Sequence, residues 1–364
     1  MNKLLDLYTD YRQVTFGQAS ATGLSGLLDS AVSHDKFTRL LSTNEFSSID
    51  LWRSVKALVR EHQSDDACLI FDDVIVHKPH TDESELITWH FDHTENRAVK
   101  GINLLTAFYH SQLPPQEPPL RVPVLFQAVT KEIHFCDLKT RREKRQSAIT
   151  KNEMLRQMVA QAIENGLRFR YVLADSWFAS SENMLFIARR KKFFIFDLKA
   201  NRLAATTLEN RNKGRFVSID ELELPENTPV RLYLKDLEIQ ILVCKQVFRD
   251  EDSAVQGVRY LASNDFNLAA DLFAALYKKR WSVEEYHKSL KQNTAIAKSP
   301  TRTTRTQLNH LFGSILAYVK FERLKFAHKL NHFALKSKLY AVAVKAAFKE
   351  LSVLKLAEAK TNSA

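Results

Sequence analysis

The spacing of apolar positions changes period several times along the chain. Leu24, Leu27, Leu28, Ala31 and Val32 recur at helical spacing, and Ser33 is placed to cap a second helix through Leu41. Residues 1–65 therefore read as a helical N-terminal domain. Two short helices with a tight break fit either a helix-turn-helix at DNA ends or a small helical bundle. From Ala67 the runs become β-rich: CLIFDDVIV, ITWHFDH and AVKGINLLTAFY, separated by polar breaks. The Pro-rich stretch 113–123 reads as a surface excursion between strands.

Thr150 and Glu153 form a capping box that predicts a helix through about Asn165. The strand RYVLADSWF, a basic helix near 180–192 and the strand FFIFDLK follow. Residues 200–262 read as a β-rich insertion, because VRLYLKDLEIQILVCKQVF shows β-formers and little helical period. Residues 268–292 and 304–328 return to helix, and a last basic helical segment ends near Leu356. This order predicts an α/β fold of the ribonuclease H type: a mixed sheet flanked by helices, interrupted by the insertion. The expected parts are 1–65, a first part of the core at 66–199, the insertion at 200–262, a helical part of the core at 263–328, and a basic tail at 329–364.

Composition narrows the class. The chain has 364 residues, 45% of them hydrophobic, so it can bury a full core and is not disordered. The formal charge of +11 points to a polyanionic partner. From Lys298 onward there are thirteen Lys/Arg, three Glu and no Asp, a net of +10 in the last fifth of the chain. Cys68, Cys136 and Cys244 have no metal-ligand spacing and read as buried thiols of a reduced, cytosolic protein. The N-terminus lacks the apolar core of a signal peptide, and no apolar run has the length of a membrane span. A cytoplasmic protein with access to DNA in a bacterium is the resulting expectation.

The carboxylates supply candidate chemistry. Phosphoryl transfer on DNA can use two divalent ions, and Mg²⁺ prefers carboxylate oxygens on rigid elements. Asp72 and Asp73 lie in the apolar strand IFDDVIV, where an acidic pair is costly unless compensated. Their side chains alternate, so one enters a site more easily; Asp73 is the choice and Asp72 the reserve. Asp175 ends another apolar strand. Glu284 falls in the first turn of a helix that Ser282 and Glu285 are placed to cap, with Lys288 and Lys291 on the same face. Each acid alone also fits a strand end, a turn or a solvated helix pair.

The segment 277–291, YKKRWSVEEYHKSLK, decides among these readings. It resembles, without a gap, the Tyr-Arg-Glu-Lys motif of a large group of bacterial insertion-sequence transposases, the insertion-sequence-four type. ADSWFAS, DLKANR, IFDDVIVHK and TRTTRTQLNHLFGSILAYVKFERL stand in the family's order, so the resemblance runs from about residue 65 to 328. It implies a ribonuclease H-like DDE transposase in which Asp73, Asp175 and Glu284 bind two Mg²⁺ ions, with Mn²⁺ as a substitute. Tyr277, Arg280 and Lys291 are implied to hold DNA phosphates near the transposon end. The family's Asp-Asp-Thr is Asp-Asp-Val here, which leaves Asp72 open.

The implied partners are inverted-repeat ends and target DNA, engaged by a homodimer, and no membrane. In relatives that form a DNA hairpin, an aromatic residue of the insertion stacks on a flipped base. The insertion here offers Phe216, Tyr233 and Phe248, each read as core. The pairs His77/His80 and His90/His93 lie in or beside strands and read as scattered surface histidines rather than zinc ligands. The run 139–145 fits either a segment along DNA backbone or an exposed basic loop, and Trp177 and Phe178 read as packing beneath Asp175. A nuclease or resolvase on the same fold, or a catalytically silent DNA-binding protein, are the alternative functions.

Overall fold

The computed structural model describes residues 2–92, 95–112, 117–250 and 255–361. Four helices come first: α1 (Lys3–Val14), α2 (Ala21–Leu27), α3 (His34–Thr43) and α4 (Ser48–His62). Strands β1 (Cys68–His77), β2 (Thr88–Asp92), β3 (Arg97–Ser111) and β4 (Leu120–Ala128) follow. Next come a hairpin of β5 (Ile133–Asp137) and β6 (Arg142–Gln146), then α5 (Lys151–Glu164), β7 (Tyr171–Ala174), α6 (Ser181–Arg189) and β8 (Phe193–Leu198). The insertion contributes β9 (Leu203–Ala205), α7 (Leu208–Asn212), β10 (Val217–Ser218), β11 (Pro229–Leu234), β12 (Ile241–Arg249) and β13 (Val255–Ser263). Helices α8 (Ala270–Lys278), α9 (Trp281–Asn293), α10 (Thr304–His328) and α11 (His332–Thr361) close the chain. Among the described residues, no helix is long and apolar enough to cross a membrane.

One compact unit spans Ser47–Glu285. At its centre β1 pairs antiparallel with β3 and parallel with β7, and β7 pairs parallel with β8. β4 pairs antiparallel with β3. Three antiparallel strands followed by two parallel ones, with α5 and α6 in the crossovers, are the ribonuclease H-like arrangement the sequence predicts. The parallel centre is apolar on both faces, so Cys68–Phe71 and all four residues of β7 are buried. The insertion builds no sheet of its own. β13 pairs with β8, then β12, β11, β9 and β10 follow in order, so its strands extend the central sheet.

The other unit is Met1–Phe46 with Tyr286–Ala364. The Ser33 side chain accepts from the Asp35 amide and caps α3 as expected. However, α2 stops at Leu27, because Asp29 and Ser30 adopt left-handed backbone, with φ of 48° and 60°. α10 is buried along most of its length, and its Asn309 amide donates to the Leu41 and Asn44 carbonyls and accepts from the Phe46 amide.

Two readings change. β4 lies partly inside the stretch 113–123, of which 113–116 fall outside the described residues. It carries Pro123 at a register shift opposite Ala107 and Phe108, where a ladder can tolerate a missing N–H. The basic run 139–145 forms the turn and second strand of the β5–β6 hairpin rather than a loop, with Arg141 at φ 55°.

Candidate active site

Asp72 and Asp73 sit side by side on β1 and point to opposite faces of the sheet. Asp73 is held by two donors: Lys151 Nζ at the start of α5, at 2.8 Å, and Asn103 Nδ2 on β3, at 2.6 Å. Asp72 instead meets Arg280, with Nη1 3.7 Å from its Oδ2. The same guanidinium donates through Nη2 to Glu284 Oε1 at 2.6 Å.

Asp175 follows the last residue of β7, and its Oδ1 accepts from the Trp177 amide at 3.0 Å, which fixes the carboxylate at the head of a single 3₁₀ turn. Ile70 pairs with Leu173 in the parallel ladder. Asp72 lies two residues beyond that pair on β1, and Asp175 two residues beyond it, just past the end of β7.

The electrostatics follow this geometry. Burial pushes the Asp72 carboxyl up to about 7; Arg280 opposes the rise, while Asp73 and Asp175 add to it. Asp175 is raised by burial too, opposed by its Trp177 hydrogen bond and by Arg280. Arg280 thus contacts Asp72 of β1 and Glu284 of α9, and its charge also acts on Asp175 just past β7, as do Asp73 and Lys151. Among the described residues, the three-ligand group whose donor atoms all lie within 4.8 Å of one another is His77, Asp92 and Glu95, and not these acids. Arg280 holds the position between them.

Several sequence readings need correction. Tyr277 and Arg280 do not share one helix, because α8 ends at Lys278 and α9 starts at Trp281. They remain close, with the guanidinium 5.7 Å from the tyrosine ring centre, but Tyr277 is buried, at 5% exposure, with Arg259 also over its ring. The Ser282–Glu285 capping box does not form: Ser282 lies inside α9 and donates to the Lys279 carbonyl, and Glu285 pairs with Arg121. Glu284 nevertheless stays in the first turn. Lys291 is exposed two turns further along α9, in the part that belongs to the other unit.

Trp177 does not pack beneath Asp175. It is half-exposed, with Lys151 5.0 Å from its ring centre, whereas Phe178 is buried. In the insertion, Phe248 is exposed and carries Arg259 over its ring, and Tyr233 carries Arg211. His77 meets Asp92 and Glu95 rather than His80, His90 bonds Thr88, and His93 lies outside the described residues.

Two residues near the acids went unread. Asp197 on β8 is raised by burial and countered by Arg259 and Arg280, and Arg259 reaches in from β13. An acid inside the apolar run FFIFDLK is the same signal that singled out Asp175.

The comparisons bear on this arrangement. Residues 4–210 match the family described as DDE superfamily endonuclease, and residues 132–320 match the transposase DDE domain family. Each match covers more than half of the chain, so the protein belongs to the DDE superfamily. Within that superfamily it carries a transposase domain. A comparison with curated protein sequences gives no match. Among solved structures, the Drosophila P element transposase strand transfer complex aligns at 14% identity with a TM-score of 0.26. That alignment covers 52% of this chain and 36% of the other, too loose a likeness to add to the strand topology above.

Proposed function

We propose that the protein is the DNA transposase of a bacterial insertion sequence of the insertion-sequence-four type. It cuts at the inverted-repeat ends and joins them to target DNA by metal-dependent phosphoryl transfer, working as a homodimer that brings two ends together. The observation carrying this reading is that Asp72, Asp175 and Glu284, from three separate elements, converge on Arg280.

The donors fit a hard divalent cation. They are all carboxylates, carried on a central strand, just past a strand end and on a helix, and burial raises the carboxyls of Asp72 and Asp175. Asp72, Asp175 and Glu284 are the proposed ligands, with Asp73 assigned to the Lys151–Asn103 pairing. When bound, two Mg²⁺ ions, or Mn²⁺ in their place, supply Lewis acidity at the attacking and leaving oxygens of the phosphodiester.

The chain's own residues do the positioning. The strands fix the two aspartates, and the first turn of α9 presents Glu284 where the helix dipole favours its charge. Arg280 offsets the charge of the acids, and its planar guanidinium would also suit a DNA phosphate through two hydrogen bonds. Tyr277 supports that arginine from beneath, and Lys291 and the basic C-terminal segment add salt-dependent affinity for the backbone.

End cleavage tests this reading on a duplex carrying the repeats that flank the gene. The native protein is expected to nick at the repeat boundary only with Mg²⁺ or Mn²⁺, and Glu284→Gln is expected to bind the duplex yet cut at least 100-fold more slowly. Duplex binding without cleavage by the native protein would point to the silent DNA-binding alternative. Cleavage without joining would point to the nuclease.

A further inference from the structure

Among the described residues, β5 and β6 pair with each other and with no strand of the large sheet. Both faces of this hairpin meet water. Ile133, His134, Phe135 and Cys136 are exposed in a row, as are Arg142, Glu143 and Lys144. A lone two-stranded hairpin is only marginally stable in water, and apolar side chains exposed on it call for a partner. Its base is nonetheless fixed: the Lys131 amide donates to the Glu85 carbonyl at 2.7 Å, and Arg145 meets Glu83 at 3.3 Å. Its tip is built as well. The Arg141 amide donates to the Asp137 carbonyl at 2.7 Å, and Asp137 Oδ1 accepts from the Lys139 amide at 2.9 Å.

Charge and shape say which partner fits. Lys144 pairs with Asp137 and Arg145 with Glu83, but Lys139, Arg141 and Arg142 have no carboxylate partner among the described residues. These three flank Leu138, which is 91% exposed. On one face of the ribbon Ile133 and Phe135 lie beside Arg142 and Lys144. Free cations around an apolar tip match a groove of duplex DNA, which has phosphates along both rims and base edges with thymine methyls on its floor. The major groove, roughly 12 Å wide, admits a two-stranded ribbon, whereas the minor groove, at roughly 6 Å, is too narrow.

We propose that the β5–β6 hairpin is an arm that enters the major groove of duplex DNA tip first. Leu138 meets base edges there, and Lys139, Arg141 and Arg142 hold the flanking phosphates. The proposal rests on the transposase reading for its partner and deepens it. It adds a DNA contact within the unit that bears the acids, apart from Lys291 and the basic C-terminal segment.

Cys136, two residues before Leu138, supplies the test, because it is exposed while Cys68 and Cys244 are buried. The full chain is alkylated with a maleimide in the presence and absence of a duplex carrying the flanking repeats, without divalent metal so that nothing is cut. Saturating duplex should slow alkylation of Cys136 several-fold, and the bound protein should shield guanine N7 atoms in the major groove from methylation. The variant Lys139→Ala/Arg141→Asn/Arg142→Ala keeps a residue at 141 that tolerates left-handed backbone, so its circular dichroism should match the native. It should lose the N7 shielding, and its log–log salt slope of duplex binding should be shallower by about 2–3. Duplex binding with Cys136 alkylated at its free rate would overturn the arm and leave the transposase reading standing. So would a variant with the native salt slope. Protection of Cys136 that grows with protein concentration in the absence of DNA would overturn it in favour of contact between copies. A chain that binds no duplex would overturn both readings.

Discussion

Asp72 and Asp73 have different surroundings because adjacent residues of a strand face opposite ways. The Asp73 side is occupied by Lys151 and Asn103, and the Asp72 side by Arg280 and the first turn of α9. Sequence could say that one of the pair enters the site, but not which, since the choice depends on a helix more than 200 residues away. Asp175 and Glu284 stand out in the sequence because an acid closing an apolar strand, and an acid inside a spaced motif, each carry a local signal.

Another residue-scale effect concerns His90. Burial, reinforced by Lys131, holds its imidazole down to about 4. Unfolding restores an ordinary imidazole, which binds a proton more readily, so the unfolded state gains protons as the pH falls from about 6.5 toward 4. Stability is therefore full above that window and lost within it, by roughly 3 kcal/mol in all. Urea unfolding of the native protein across that range should show the loss, and His90→Gln should flatten it; an unchanged slope in the variant would contradict the assignment.

Among the elements, those with strong local signals were readable. The Thr150–Glu153 box does start α5, and 304–328 is α10. What escaped was decided by tertiary pairing. β4 hid behind Pro123, which the bulge beside it on the same strand accommodates. The helix expected over 268–292 breaks after Lys278, and the break places Arg280 where it reaches both Asp72 and Glu284. The insertion read as separate because periodicity cannot reveal that β13 pairs with β8.

Element packing also makes Asn309 a fastener. Its side chain makes three hydrogen bonds to the backbone of Leu41 in α3 and of Asn44 and Phe46 in the loop before α4. Asn309→Ala would leave buried carbonyls unpaired and is expected to cost about 2–4 kcal/mol. Thermal unfolding would check it; a change below about 0.5 kcal/mol would mean that water replaces those bonds.

At the scale of the whole molecule, a ribonuclease H-like sheet positions two of the acids and the second helix after the insertion carries the third. The basic excess after Lys298 lies mostly outside the unit that bears those acids. The account thus separates chemistry from charge-based DNA affinity, and variants of the acids should leave duplex binding and its salt dependence close to native.

That separation sets the decisive measurement: metal-dependent end cleavage by Asp72→Asn compared with Asp73→Asn, with duplex binding measured alongside. The account expects Asp72→Asn to bind like the native protein and lose cleavage by at least 100-fold, while Asp73→Asn keeps cleavage within about tenfold of native. Full cleavage by Asp72→Asn, or its loss only in Asp73→Asn, would contradict the claim that the acids gathered on Arg280 carry the chemistry.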